Sequence, residues 1–153
     1  MRIRRVLATV GALVAATALS ASDEAFMGTW KLNEAKSKIA EGAPKVTTVV
    51  YEPAGDHVRI IVDSTAPDGS AHHEDWVGAF DGKGYSVKGN LSDLRSYSKV
   101  DSRTLRFTAK KDDKVIITGT IKLSGDGKSR TVTRTDIDAN GKKVTSMNFY
   151  DKQ

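Results

Sequence analysis

The sequence predicts an all-β fold: an antiparallel up-and-down meander of roughly eight to ten strands, closed into a barrel. Three observations carry this. Apolar and polar residues alternate with period two through most of the chain after residue 45. Turn chemistry recurs at intervals of about 8 to 12 residues. No segment after residue 40 carries a helical apolar stripe. Hairpin-length turns favour a meander over a Greek key, and closure removes both exposed edges. A two-sheet sandwich is the alternative.

The first 22 residues are expected to lie outside that fold. Arg2, Arg4 and Arg5 precede an uncharged run from Val6 to Leu19, and Ser20-Ala21-Ser22 supplies small residues ahead of Asp23-Glu24. This is the pattern of a cleaved secretory signal peptide. The apolar run falls short of the roughly 20 residues a span requires, so no stable membrane anchor is expected, an uncleaved short anchor being the alternative. Residues 23–153 then form one domain, periplasmic or secreted. The chain carries +5, but three of its 24 Lys and Arg lie in the leader, leaving 21 against 19 acidic residues. Both signs alternate along the chain, which excludes the basic face of a nucleic-acid binder. There is no Cys, hence no disulfide and no thiol chemistry.

In the mature chain, Phe26 to Leu32 reads as a short first strand and Asn33 to Pro44 as the longest irregular connection, with a helical turn or two between Glu34 and Ile39. Val46 to Glu52 and His57 to Thr65 follow, joined through Ala54-Gly55-Asp56. His72 to Phe80 places Trp76 and Phe80 on one side and ends in a turn at Asp81-Gly82-Lys83-Gly84. Tyr85 to Gly89, Leu94 to Val100, Arg103 to Lys110 and Lys114 to Leu123 come next. The last pair is Arg130 to Ile137 and Val144 to Asp151, joined at Asn140-Gly141, where both residues accept positive φ. Gly78, Gly89 and Gly119 fall in strands, where bends or bulges assist closure.

Several candidate sites dissolve on inspection. Asp136-Ile137-Asp138-Ala139-Asn140-Gly141 begins a calcium loop, but position 12 is Met147 and the flanks are strands, so a polar hairpin turn is expected. His72-His73-Glu74-Asp75 splits between two strand faces, neither of which supplies a zinc set. It reads as a polar strand segment near a turn. Gly127-Lys128-Ser129 lacks the head of a phosphate loop, since Lys122 stands where its first Gly belongs. With no nucleophile–base pair and no metal set, neither an enzyme nor a cofactor is expected. Asn90-Leu91-Ser92 fits a glycosylation sequon.

Phe26-Met27-Gly28-Thr29-Trp30-Lys31-Leu32 resembles the opening of lipocalins and, more closely, of fatty-acid-binding proteins. There the indole of Trp30 plugs one barrel end, and Gly28 lets another backbone pass close. Asn148-Phe149-Tyr150-Asp151-Lys152 resembles the Arg-x-Tyr-Glu-Lys ending of fatty-acid-binding proteins, with Asn148 in place of the Arg that pairs a fatty-acid carboxylate. The connection 33–44 is too short for that family's two-helix lid. Lipocalins stack a late Arg on the first-strand Trp; the last strand has none, and Arg134, one strand earlier, is the substitute considered, on a face the sequence leaves open. Together with Tyr51, Phe80-Asp81-Gly82-Lys83 and Tyr85-Ser86-Val87-x-Gly89, the chain resembles secreted bacterial lipocalin-like proteins of the calycin superfamily. That resemblance implies a calycin-type barrel and assigns no activity. The expected function is binding of a small hydrophobic, neutral molecule inside the barrel, contacted by Asn148, Tyr150, Arg134, Trp76 and Phe107. A closed barrel filled by its own side chains, acting as an envelope interaction module, is the alternative.

Overall fold

The computed structural model describes residues 19–153; the expected leader, up to residue 18, lies outside the described residues. Ten strands run in sequential antiparallel order: β1 Gly28–Leu32, β2 Lys45–Ala54, β3 His57–Thr65, β4 Ala71–Gly78, β5 Asp81–Lys88, β6 Leu94–Asp101, β7 Thr104–Lys111, β8 Lys114–Leu123, β9 Ser129–Ile137 and β10 Lys143–Lys152. They form a closed barrel, with β1 pairing both β2 and β10. The sandwich alternative is thereby set aside.

Alternation dictates which face turns inward. In β3, Val58, Ile60, Val62 and Ser64 are all buried while their neighbours are not. Strand β2 breaks the rule: Val46, Val49 and Tyr51 are all buried, although Val46 and Val49 differ in parity. A register shift between Val46 and Thr48 absorbs the extra residue and turns both valines inward. Gly119 on β8 makes room for a ring, since a Cβ there would lie 2.3 Å from Cε1 of Phe107.

The Phe80-Asp81-Gly82-Lys83 segment differs from expectation. Asp81 to Gly84 do not form the turn but begin β5, through a register shift against β6. Asp81 holds this bulged start by accepting from the Lys83 N–H at 2.9 Å and the Tyr85 hydroxyl at 2.7 Å. The β4–β5 pairing is correspondingly thin, with Asp75 opposite Lys88 and Trp76 opposite Val87.

The two barrel ends differ. Helix α1, Ala21–Glu24, is capped by Ser20, and the cleavage expected after Ser22 falls within it. The barrel end that follows is filled by Phe26 and Trp30, both fully buried, with the indole N–H donating to the Phe26 carbonyl at 2.9 Å. Gly28 adopts φ +115°, and what passes close to it is the Lys152 side chain rather than another backbone: a Cβ would meet Lys152 Cε at 2.8 Å. The connection 33–44 carries one 3-10 turn, Glu34–Lys36, and an isolated bridge from Lys38 to Met147. The opposite end is the mouth, ringed by the β3–β4, β7–β8 and β9–β10 hairpins and by the segments at 41–44 and 89–93.

Trp30 and Trp76 are the largest fully buried side chains among the described residues, and truncating such a ring loses its transfer energy and leaves a cavity. Trp30→Ala should therefore lower unfolding stability by about 3–5 kcal/mol. Urea denaturation checks this, with Trp30→Phe expected to recover more than half the loss.

Candidate functional site

The barrel axis carries three arginines in succession. Alternation along β9 turns Arg130, Val132 and Arg134 inward together, with Asp136 following on the same face. Arg95 enters from β6, where its neighbour Leu94 faces out. Each guanidinium has a different environment.

Arg130 occupies the closed end. Its Cζ lies 4.8 Å from the Trp30 ring centroid, 4.9 Å from that of Tyr51 and 5.0 Å from that of Tyr150. Three π faces thus enclose one cation, each contact contributing about 0.5–2 kcal/mol when desolvated. Arg130, and not Arg134, is the arginine stacked on the first-strand indole. Its Nε and Nη1 are buried without a hydrogen-bond acceptor among the described residues.

Arg95 is paired with Glu74, and both side chains are almost wholly buried. The Glu74 carboxylate also accepts from the Ser92 N–H at 2.7 Å and the Ser92 hydroxyl at 2.8 Å. His72-His73-Glu74-Asp75 does divide between two faces, but Glu74 is a core ion-pair partner and not merely a polar strand residue. Arg134 is held by Asp136 through two nitrogens, with Nη2 to Oδ1 at 2.6 Å and Nε to Oδ2 at 2.9 Å. The remaining pseudo-motifs are turns: Asp138 Oδ1 accepts from the N–H groups of Asn140 and Lys142, and Asp126 Oδ1 from that of Lys128.

Two spaces border these groups. An inner cavity of about 40 Å³ is lined by Tyr51, Arg95, Tyr97, Phe107, Arg130, Arg134, Asn148, Tyr150 and apolar residues including Val49, Val62 and Ile121. A cup of about 480 Å³ fills the mouth, walled by Pro44, Ala66, Pro67, Leu91, Ile116, Ile117, Ile137 and Val144, with His72, Glu41, Asp138 and Lys142 also in its lining. Arg134 borders both spaces and Asp136 borders the cup. The Arg134–Asp136 pair is therefore the floor of the mouth and the roof of the inner cavity.

Asn148, Tyr150, Arg134 and Phe107 come together around the inner cavity, which decides the face that the sequence left open for Arg134. Trp76 lies apart from its lining. It donates its N–H to the Arg95 carbonyl at 3.0 Å and packs edge-on against Tyr97, with ring centroids 4.8 Å apart. The Tyr150 hydroxyl is already engaged, donating to the Val46 carbonyl at 2.9 Å, whereas Asn148 Oδ1 is buried without a donor. Sequence reasoning missed Glu74, Arg95, Tyr97 and Arg130. For Arg130 a signal existed: Val132 marks the inward face of β9, and Arg130 and Arg134 share its parity. For Glu74 and Arg95 the same parity signal existed, through Trp76 and Tyr97, but a charge normally marks the outer face and masked it.

Burial pushes the Tyr150 hydroxyl up to about 12 against the opposing pull of Arg130 and Arg134, and it raises Tyr97 further against the pull of Arg95. Both phenols stay neutral in the folded chain where an unfolded tyrosine, near 10, ionises. Their contribution is thus complete below about pH 10 and is lost as pH rises toward the folded values, at roughly 1.4 kcal/mol per pH unit for each. Denaturation midpoints should fall steeply between about pH 10 and 12, and Tyr97→Phe or Tyr150→Phe should flatten that slope. Complete ionisation of all four tyrosines near pH 10 in the folded protein, read by ultraviolet absorbance, would contradict it.

No family model matches the chain, and no curated protein matches it. Among solved structures, the chain is similar to one described as EF1p2_mFAP2b bound to DFHBI, with a TM-score of 0.52, 12% sequence identity, and coverage of 86% of this chain and 97% of that one. At that identity the likeness is one of fold, and this chain has the fold of a closed antiparallel β-barrel.

Proposed function

We propose that this protein is an exported barrel that binds a small, largely apolar, neutral molecule, with the ligand's body in the mouth cup and its polar end directed at the barrel axis. The observation that carries this reading is the cup itself. At about 480 Å³ it falls within the range of small-molecule sites, which pair apolar walls with a few fixed polar groups. The inner cavity, at about 40 Å³, is an order of magnitude smaller. Ligand neutrality follows from the floor. Arg134 is already matched by Asp136 in a two-nitrogen pair, so a carboxylate would have to displace Asp136 to gain a cationic partner. A hydroxyl or carbonyl needs no such displacement. Asn148 and Tyr150 lie below this floor and help shape the axis beneath the ligand.

A second reading draws on the same small inner cavity: a barrel filled by its own side chains serves as an interaction module. The two readings separate on ligand uptake. An uncharged environment-sensitive naphthylamine dye should bind, and a long-chain alcohol should displace it better than the matching fatty acid. Leu91→Asp and Ile137→Asp, on the cup wall, should weaken dye binding at least about tenfold, since one buried apolar side chain is worth about 1.5–3 kcal/mol. Dye uptake unaffected by both substitutions, or no uptake at all, would favour the interaction module.

Export rests on the leader pattern of residues 1–22. Cleavage after Ser22 removes Ser20 and half of helix α1 but retains the buried Phe26 and Trp30. Intact mass of material recovered from the medium or periplasm should lack about 20–22 residues; recovery of the full-length chain in membranes alone would overturn this.

A further inference from the structure

We propose that the inner cavity is a binding site for one small monovalent inorganic anion of about the size of chloride, independent of any ligand in the mouth. The cavity wall is unbalanced in charge. Arg95, Arg130 and Arg134 line this cavity, and two carboxylates answer them: Glu74 pairs with Arg95 and Asp136 with Arg134. Among the described residues Arg130 has no anionic partner, so the barrel axis carries one uncompensated positive charge. Lys152 adds to it, with Nζ 5.3 Å from the outer part of the same cage at the Trp30 ring centroid.

The second observation is a set of unpartnered buried polar atoms on residues that border the cavity: Nε and Nη1 of Arg130, Nε of Arg95 and Oδ1 of Asn148. Three of the four are N–H donors. Water would accept from them but would leave the charge in place, whereas an anion answers both deficits. The three rings around Arg130 present their faces to the guanidinium and leave its in-plane N–H groups to find acceptors elsewhere.

Size and lining select the anion. About 40 Å³ admits a halide or a few waters but not an organic chain, and Arg134, which borders both spaces, stands between this cavity and the mouth. The apolar part of the wall, including Val49, Val62 and Phe107, favours a weakly hydrated monovalent ion over sulfate or phosphate, whose desolvation is far more demanding.

The test is thermal unfolding of protein exchanged into sodium gluconate, then titrated with sodium chloride or bromide at constant ionic strength. A saturable rise in Tm of roughly 5 °C is expected for an ion that binds only the folded chain, and sulfate should not reproduce it. Crystals grown in bromide should show one anomalous peak inside the barrel beside Arg130. Asn148→Asp places a fixed carboxylate at the cavity and should fold with a Tm that no longer responds to chloride. Arg130→Met should lose the response where it folds, and Leu91→Asp, at the mouth, should keep it. A Tm unaffected by halide, a bromide peak only outside the barrel, or binding at crystal concentration only would overturn the proposal, as would an undiminished chloride response in Asn148→Asp.

Discussion

The contact on which the rest of the barrel depends is the guanidinium of Arg130 enclosed by Trp30, Tyr51 and Tyr150. These four residues come from β9, β1, β2 and β10, the strands that meet where the sheet closes on itself. Strand β1 has five residues and pairs through three positions with β10 and four with β2. So short a closing strand is held by few ladder bonds. The cation ties its indole to both neighbours and to the strand beyond. Charge burial is ordinarily unfavourable by several kcal/mol; three π faces offset part of it, and the closed end thereby gains an orientation that a purely apolar plug would not impose.

A second seam needs reinforcement. Strands β4 and β5 share only two paired positions, and the polar interior spans that gap. Glu74 on β4 reaches the backbone and hydroxyl of Ser92 and the guanidinium of Arg95, while Trp76 donates to the Arg95 carbonyl. These contacts bind β4 to β6 across the weakly paired β5. The buried ion pair is thus a structural bridge: removing one member would strand the other charge in the core, a loss of about 3–5 kcal/mol.

The division between ends follows from where the charges sit. At the closed end the cation faces the rings of Trp30, Tyr51 and Tyr150. At the mouth the Arg134–Asp136 pair forms a neutral polar floor beneath apolar walls. On the proposed reading, an apolar molecule would meet its hydrogen-bonding groups there, and ligand selection and barrel integrity would then fall to different arginines of one strand face.

The sequence by itself determined the fold class, because period-two alternation and hairpin chemistry act locally: each strand's inward face and each turn are written within about ten residues. Phe107 could be placed inward on that basis, and Asn148, Tyr150 and Trp30 through the resemblance of the two chain ends to fatty-acid-binding proteins, while the 33–44 connection allowed a helical turn or two and holds one. What only the tertiary structure decided was which charges go inside. Alternation groups Glu74 with Trp76 and Arg95 with Tyr97, but it gives no reason for a charge to turn inward; that is possible only because the fold brings the two charges together from different strands. The same limit sent the stacking role to Arg134 instead of Arg130. Both lie on one face of β9, and only the register of β9 against β10, with Arg130 opposite Tyr150, brings one of them to the height of Trp30. The tightness of the inner cavity was equally beyond the sequence, since space left between side chains depends on how ten strands fit together around the axis.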